Sequence, residues 1–297
     1  MPMLLQIFWD VKPVIFEFGN FGIRFYSVLF AMGFVISYFI VRKMYRAELG
    51  NSAELDRLLI WVIAGGLLGA RIFHCVFYDG SYYLSGLLPM LEILLPVSFK
   101  PEFSFIGYQG LASHGGAIGI IVSLLIFKKK SQMKSFFWLI DRVAIPTGFA
   151  GACIRLGNLM NSEIYGHCTD LPWGFVFVQN GDSCASHPTQ IYEALIYIAT
   201  SVVLLMLYRK EHYRNARGFL LGVFLIMVFL SRFFMEFLKN NQVSFENTMT
   251  LNMGQLLSIP LVILGIVLVI LSLRHKTTPQ TEPEISENDP LTHSENL

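Results

Sequence analysis

The chain has 297 residues, of which 54% are hydrophobic and only 14% are charged. So few charged side chains cannot coat a water-soluble protein of this size. The formal net charge of +1 leaves no basic excess for binding nucleic acid, and the sequence contains no zinc-binding cysteine pair, phosphate-binding glycine loop or HExxH helix. The composition therefore indicates an integral membrane protein, and the missing motifs argue against a soluble cofactor.

The sequence predicts about seven transmembrane helices. A helix needs about 20 mainly apolar residues to cross the hydrocarbon core, and the stretches that meet this requirement lie near 23–41, 58–78, 111–127, 136–158, 189–208, 218–238 and 255–273. We expect the first helix to stay attached, because acidic Asp10 and Glu17 precede it where a removable signal peptide would carry basic residues. The predicted fold class is all-α, a polytopic transmembrane helix bundle.

Three further segments are not predicted to span the membrane. Residues 82–97 are apolar but short and carry Glu92 and Pro89, which favours an interfacial or re-entrant piece. Residues 159–187 contain no Lys or Arg and are long enough to form a lid, and whether Cys168 and Cys184 within them form a disulfide stays open. After a single transmembrane domain of residues 1–276, we expect residues 277–297 to be a disordered acidic cytoplasmic tail.

The distribution of basic residues predicts the orientation of the helices. Fourteen of the 22 Lys and Arg residues follow the first, third, fifth and seventh spans, three lie on the opposite side, and five lie within spans. Basic residues are retained on the cytoplasmic side of a membrane. We therefore expect the N-terminus outside and the C-terminus in the cytoplasm.

Five arginines fall inside the predicted spans, where a charged side chain costs about 2.5–3.5 kcal/mol on insertion scales. They are Arg24, Arg71, Arg142, Arg155 and Arg232. Arg24 lies at the outer edge of the first span, where its side chain can snorkel to the headgroups. Arg142 adjoins Asp141, which predicts a local charge pair or an interfacial anchor. Arg71 lies deeper, after the glycines of residues 65–69, which favour close packing of neighbouring helices.

The polar groups around Arg155 and Arg232 suit an anionic ligand. Arg155 and Asn158 are three residues apart, so they share one face of a helix. Arg232 and Glu236 are four apart, which predicts either a self-contained ion pair or an anion site. His114 lies in a glycine-rich run, where it is either a packing group or a group that a ligand can approach closely. Because arginine matches the oxygens of a phosphate, we interpret this set as a site for an anionic headgroup.

The polar segment of the fourth span also carries a family resemblance. Residues 151–166 follow the pattern G-x-x-x-R-x-G-N-x-x-N-x-E-x-x-G, which resembles the signature of the prolipoprotein diacylglyceryl transferase family. The resemblance runs from about residue 13 to residue 275, and further matching stretches occur in the family's order at 22–26, 69–71, 77–78, 113–116, 141, 187–193, 232–236 and 253–255. The chain departs from the family pattern at Val228, where a tyrosine is frequent, and at Lys239, where an arginine is frequent.

The resemblance implies an enzyme of bacterial lipoprotein maturation. Such a transferase moves the diacylglyceryl group of phosphatidylglycerol to the lipobox cysteine thiol of a preprolipoprotein signal peptide, forming a thioether and releasing glycerol phosphate. It needs no metal or other cofactor, and its partners are these two substrates and the lipid bilayer, with no nucleic acid. The resemblance implies a multi-pass protein of the bacterial cytoplasmic (inner) membrane, with its active site toward the extracytoplasmic side.

The resemblance also implies site residues. As catalytic residues we expect Arg155 and Arg232 to hold the phosphate and stabilise its developing charge, and His114 to accept the thiol proton or position the headgroup. The expected substrate-binding residues are Tyr26, Arg71, Gly115, Asn158, Glu163, Gly166, Glu193, Glu236 and Lys239.

Other classes of function stay open on the residues alone. A transporter or channel would use membrane arginines to bind a translocated anion, and predicts inverted repeats with pathway residues near mid-bilayer. The two halves of this sequence show no clear repeat, and His114, Asn158 and Glu163 cluster toward the outer ends of spans. A different membrane enzyme acting on phospholipids, such as an acyltransferase, would share the headgroup chemistry. A structural scaffold would not need five arginines at depth.

Overall fold

The computed structural model describes residues 6–18, 21–50, 54–95, 97–99, 103–105, 110–131, 135–240 and 249–274. The helices in this part of the chain are α1 (Phe25–Leu49), α2 (Leu55–Phe77), α3 (Gly80–Tyr83), α4 (Leu87–Leu94), α5 (Ser113–Lys130), α6 (Phe136–Met160), α7 (Thr189–Tyr208), α8 (Glu211–Asn215), α9 (Phe219–Met235) and α10 (Met253–Arg274). The strands are β1 (Ile7–Trp9), β2 (Val14–Phe18), β3 (Phe21–Arg24), β4 (Val97–Ser98), β5 (Ser104–Phe105) and β6 (Phe175–Phe177). The predicted tail, residues 277–297, lies outside the described residues.

The predicted spans coincide with α1, α2, α5, α6, α7, α9 and α10. Helices α1, α2, α6, α7 and α10 are long and apolar enough to cross a membrane, and α9 is a shorter apolar helix. Helix α5 has 18 residues and ends in three lysines. Large apolar side chains such as Ile60 and Leu195 are exposed on the outer faces of these helices, as lipid-facing residues must be. The all-α, polytopic membrane fold is therefore confirmed.

Glycines allow the backbones of α2 and α5 to pack closely against each other. A Cβ added to Gly65 would lie 2.7 Å from the carbonyl oxygen of Gly119, and one added to Gly69 would overlap the carbonyl oxygen of Gly115. Small residues allow two helix backbones to approach in this way. The predicted packing role of the glycines in 65–69 is confirmed, and it brings the start of α5 beside the last turns of α2.

A buried ion pair joins α1 to α6 at the predicted cytoplasmic end of the bundle. Glu48 lies 2.8 Å from Arg142 Nη2, and it also accepts hydrogen bonds from Trp138 Nε1 at 2.8 Å and the Tyr208 hydroxyl at 2.6 Å. Asp141 instead accepts backbone N–H groups at the start of α9. The expected local pair of Arg142 with Asp141 is wrong, because consecutive helical residues point in different directions.

The strands form three small sheets that the sequence analysis did not predict. β2 and β3 form an antiparallel hairpin leading into α1, β4 pairs with β5, and β1 pairs in parallel with β6. Trp9 on β1 donates to the carbonyl oxygen of Leu159 at 3.0 Å, and a disulfide joins Cys168 to Cys184. The segment between α6 and α7 is thus tied to the N-terminal strand and closed on itself at the end of α6.

Candidate functional site

Arg155 lies in the last turns of α6 and is largely buried, with 13% of its side chain exposed. Its Nε lies 3.0 Å from Glu193 Oε2 on α7, and its Nη1 donates to Asn158 Oδ1 at 3.1 Å. The helical spacing predicted the contact with Asn158, and the tertiary fold adds the partner from α7. The carboxyl end of a helix also favours a positive charge. Arg155 therefore stays charged and fixed in direction within the bundle.

The chain reverses direction just after α6, and two polar side chains hold the turn. Asn158 Nδ2 donates to Glu163 Oε1 at 2.7 Å, and Gln190 Nε2 donates to the carbonyl oxygen of Glu163 at 2.7 Å. Ser162 and Ile164, which flank Glu163, have positive φ angles of 53° and 60°. Such backbone costs about 1–3 kcal/mol per residue and persists only where surrounding contacts determine it. These contacts keep the exposed Glu163 carboxylate beside Asn158.

Acidic and basic side chains alternate from α7 to the end of α9. Glu193 Oε1 lies 2.8 Å from Lys239 Nζ, and Lys239 Nζ lies 3.4 Å from Glu236 Oε1. Glu193 and Lys239 are almost completely buried, with 1% and 2% of their side chains exposed. Arg232 Nε lies 3.6 Å from Glu236 Oε1, and 30% of the Arg232 side chain is exposed. The predicted pair of Arg232 and Glu236 is present, but it is loose and open to the surface.

The first turn of α10 lies beside this row of charges, which consists of Arg155, Glu193, Lys239, Glu236 and Arg232. Asn252, just before α10, donates to Glu236 Oε2 at 3.2 Å, and a Cβ added to Gly254 would lie 2.6 Å from the Glu236 carboxyl carbon. The amino end of a helix favours a carboxylate. Glu236 is therefore stabilised by α10 as well as by Lys239, which leaves Arg232 as its least constrained neighbour.

Tyr26 and Gly166 border the charged cluster. A Cβ added to Gly157 would lie 2.7 Å from Tyr26 Cδ2, and the Tyr26 hydroxyl lies within electrostatic range of Glu163 and Arg155. Gly166 forms a backbone bridge with Lys239, and a Cβ there would lie 2.8 Å from the Cβ of His187. Only a glycine at 166 allows the two segments to lie this close.

His187 lies at the edge of the cluster, outside the spans. Its carbonyl oxygen accepts the Gly166 N–H at 2.9 Å, and its own N–H donates to the carbonyl oxygen of His167 at 3.0 Å. Partial burial, and then the neighbouring His167, lower the pKa of His187 from its ordinary value. Burial disfavours the charged form of an imidazole. His187 is therefore neutral at pH 7.

Arg71 belongs to a separate polar cluster at the end of α2. Its Nη2 donates to the carbonyl oxygen of Glu92 at 2.9 Å and to the Tyr83 hydroxyl at 3.2 Å. The Glu92 carboxylate is buried and accepts a hydrogen bond from the Tyr82 hydroxyl at 3.0 Å. This cluster attaches α3 and α4, which occupy the segment predicted to be interfacial or re-entrant. Among the described contacts, none joins Arg71 to Arg155.

His114 and Gly115 lie in the first turn of α5. His114 is exposed, and Gly115 is buried against Phe73 and Gly69 of α2. Among the described contacts, none joins His114 to Arg155 or Arg232. The structure therefore unites Arg155, Asn158, Glu163, Glu193, Glu236, Lys239 and Arg232, with Tyr26 and Gly166 at the margin, while His114, Gly115 and Arg71 lie on the α2 and α5 pair.

Comparison with known proteins yields one family. The family described as prolipoprotein diacylglyceryl transferase matches residues 13–271. The chain belongs to the prolipoprotein diacylglyceryl transferase family. A protein of Bacteroides fragilis named phosphatidylglycerol--prolipoprotein diacylglyceryl transferase is 44% identical over 89% of this chain and 94% of its own length. Proteins of the same name from Tolumonas auensis and Porphyromonas gingivalis are each 40% identical, over 91% and 92% of this chain and 99% and 96% of their own lengths.

The two departures from the prolipoprotein diacylglyceryl transferase pattern have different surroundings. Lys239 lies inside the row of charges, where one ammonium contacts both Glu193 and Glu236. Val228 is buried in an apolar cluster with Ala152, Ala194 and Tyr197. The first departure keeps a positive charge at its position, whereas the second puts an apolar side chain where the resemblance led us to expect a tyrosine.

Sequence reasoning missed three polar residues of the site. Gln190 supports the turn at Glu163, Asn252 contacts Glu236, and Tyr197 lies within electrostatic range of Arg155. Tyr197 follows Glu193 by four residues, so the helical period alone would have brought both to one face of α7. Asn252 had no such local signal, because it follows Glu236 by 16 residues.

Proposed function

We propose that the row from Arg155 to Arg232 is the phosphatidylglycerol headgroup site of this transferase. As a member of its family, the chain is a transferase that moves the diacylglyceryl group of phosphatidylglycerol to the cysteine thiol of a prolipoprotein and releases glycerol phosphate. The observation that carries the site proposal is the position of Arg155, buried and fixed by Glu193 and Asn158, in one connected row with the half-exposed Arg232.

The charges of the row explain why it suits a phosphate. Three cations, Arg155, Arg232 and Lys239, meet three carboxylates, Glu163, Glu193 and Glu236, so the row is formally neutral. Lys239 and Arg155 are held by the buried Glu193, whereas Arg232 is partly exposed and loosely paired. Arg232 can therefore turn to a phosphate at small cost, while Arg155 keeps its direction. Fixed positive charge in a low-dielectric site is effective at stabilising an anionic leaving group.

The chemistry assigned to the row is one substitution at carbon. The cysteine sulfur attacks the glycerol carbon that carries the phosphate ester, the carbon–oxygen bond breaks, and a carbon–sulfur bond forms. The electron pair of the broken bond goes to the phosphate oxygen, where Arg155 and Arg232 stabilise the charge. The thiol must lose its proton, because the thiolate is the nucleophile. His114 accepts this proton or positions the headgroup.

The remaining predicted residues have supporting roles in this proposal. Asn158, Glu163 and Glu193 orient Arg155, and Glu236 with Lys239 orients Arg232. Tyr26 and Gly166 form the walls of the pocket. Arg71 and Gly115 act from the neighbouring α2 and α5 pair, where Arg71 holds the α3 and α4 segment at the membrane surface.

The proposed location is the bacterial cytoplasmic membrane, with the charged row toward the extracytoplasmic side. Disulfides persist in oxidising compartments and are rare in the cytosol. The bond between Cys168 and Cys184 lies in the segment that closes the same end of the bundle as Arg155. This supports the orientation predicted from the basic residues, and a lipobox cysteine just outside the membrane would meet the row there.

The decisive test uses purified protein, phosphatidylglycerol and a lipobox peptide with or without its cysteine. We expect a cysteine-dependent thioether product and released glycerol phosphate from the wild type. Arg155→Ala and Arg232→Ala are each expected to lose activity by about 100-fold or more, the usual effect of removing one stabiliser of transition-state charge. Arg24→Ala, which removes an exposed arginine at the same membrane edge, is the matched control and should keep wild-type activity.

The outcomes separate the alternatives. Wild-type activity in correctly inserted Arg155→Ala or Arg232→Ala would contradict the headgroup site. Anion passage across a vesicle without any thioether would support a transporter instead. The role of His114 is tested by His114→Gln: a shift in the pH profile of the remaining activity supports proton transfer, whereas a uniform loss supports positioning.

A further inference from the structure

Asn252 caps the start of α10 in a reciprocal exchange of hydrogen bonds. Its Oδ1 accepts the N–H of Gln255 at 2.9 Å, and Gln255 Oε1 accepts the N–H of Asn252 at 3.1 Å. The carbonyl oxygen of Asn252 accepts the N–H of Leu256 at 3.0 Å, which is the first hydrogen bond of the helix. Such an exchange between the residue before a helix and the third helical residue fixes both side chains. The cap uses the side-chain oxygen of Asn252 and leaves its NH₂ group for another partner.

That partner is the carboxylate of Glu236. Asn252 Nδ2 donates to Glu236 Oε2 at 3.2 Å. Lys239 Nζ and Arg232 Nε lie 3.4 and 3.6 Å from the other oxygen, Oε1. The amide therefore occupies one oxygen of the carboxylate, and the two cations share the other.

Gly254 lets this carboxylate lie against the first turn of α10. A Cβ added to Gly254 would lie 2.6 Å from both the carboxyl carbon and Oε1 of Glu236. The amino end of a helix favours a negative charge, and only 8% of the Glu236 side chain is exposed to compete with it. A close hydrogen bond between charged groups has a length of about 2.7–2.9 Å. At 3.6 Å, Arg232 Nε is farther from Glu236 than this, so α10 holds the carboxylate away from a tight pair with Arg232.

We propose that Asn252 is a positioning residue that keeps Arg232 available for the phosphate of the lipid. This inference rests on the proposed role of Arg232 as a phosphate ligand. While Asn252 occupies Oε2, Glu236 does not present both oxygens to the Arg232 guanidinium. Without the amide, both oxygens can meet the planar guanidinium in the bidentate pair that arginine forms with carboxylates. Arg232 then has to leave a tight pair before it contacts a phosphate, which weakens the binding of phosphatidylglycerol.

The experiment compares Asn252→Ser with Ser258→Ala in the full-length protein, using phosphatidylglycerol and a lipobox peptide. Serine caps a helix about as well as asparagine, but it lacks the amide that reaches Glu236. Ser258→Ala removes a hydrogen bond of 2.6 Å to the carbonyl oxygen of Gly254 in the same part of α10. Among the described contacts, none joins Ser258 to the charged row, so this variant is the matched control.

We expect Asn252→Ser to raise KM for phosphatidylglycerol about tenfold, as for the loss of one hydrogen bond to a charged group. The cost of separating Arg232 from Glu236 is the same for the bound lipid and for the transition state, so kcat should stay unchanged. KM for the lipobox peptide should also stay unchanged, and Ser258→Ala should alter none of the three constants. In a Glu236→Gln background, which removes the competing charge, Asn252→Ser should raise KM no further.

A wild-type KM for phosphatidylglycerol in Asn252→Ser overturns the inference. A lower kcat with an unchanged KM also overturns it, because the amide would then serve the fold rather than the binding of the lipid. The same tenfold rise in the Glu236→Gln background overturns it too, since Asn252 would then act through another group. Failure of the headgroup site itself is recognised separately, because Arg232→Ala would then keep wild-type activity whatever Asn252→Ser does.

Discussion

Neutralising Glu193 tests the row of charges most directly. Glu193→Gln keeps the shape of the side chain and removes the negative charge that lies 3.0 Å from Arg155 and 2.8 Å from Lys239. With Glu193 1% and Lys239 2% exposed, water cannot take over the lost contact. Removing one member of a buried ion pair costs about 3–5 kcal/mol, because the remaining charge is left uncompensated. We expect the free energy of unfolding to fall by this amount.

A double variant separates charge balance from a general packing defect. Glu193→Gln combined with Lys239→Gln removes one charge of each sign and leaves Arg155 with its partner Asn158. Because the two residues touch, their effects should not add. We expect the double variant to be more stable than the sum of the single losses predicts, by about 1–3 kcal/mol.

The buried cysteines provide the assay for this prediction. Cys75 is 0% and Cys153 5% exposed, whereas Cys168 and Cys184 are joined in a disulfide and do not react with a thiol reagent. Labelling of the two free thiols during denaturant unfolding in detergent therefore reports the opening of the bundle. Wild-type stability of Glu193→Gln, or strict additivity in the double variant, would refute the idea that Glu193 compensates two buried cations.

Three further predictions concern regions outside the charged row. Glu48→Gln should lower the free energy of unfolding by about 3–5 kcal/mol without changing KM for phosphatidylglycerol, since its partner Arg142 lies at the other end of the bundle; a changed KM would contradict this. Replacing Cys168 and Cys184 by serine opens a loop with a sequence separation of 16, and should cost about 3 kcal/mol of stability. As a control, the thermal midpoint of this variant should match that of the reduced wild type. Burial lowers the pKa of His187 below its ordinary value of 6.5, so the stability that neutral His187 contributes is complete above pH 6.5 and is lost as the pH falls through and below 6.5. The thermal midpoint measured from pH 8 to 5 should show this loss. The loss should be smaller in His187→Gln.

Several features of this protein follow from local sequence. The spans could be predicted because crossing the hydrocarbon core requires an uninterrupted apolar stretch. The contact of Arg155 with Asn158 and the pair of Arg232 with Glu236 follow from the helical period, which brings residues three or four apart to one face. The glycines at 65–69 indicated close packing because the absence of side chains lets neighbouring helix backbones approach each other. Each of these inferences depends on residues close together in the chain.

Only the tertiary structure decided which distant residues share a partner. Nothing local indicates that Glu48 pairs with Arg142, 94 residues away, or that Lys239 reaches Glu193, 46 residues away. The parallel pairing of β1 with β6 and the disulfide between Cys168 and Cys184 likewise depend on how the outer segments meet. A buried charge indicates by itself that it needs compensation, because its desolvation cost is independent of its partner. Which carboxylate compensates it depends on helix packing, and so does the assignment of Arg155 and Arg71 to different clusters among the described contacts.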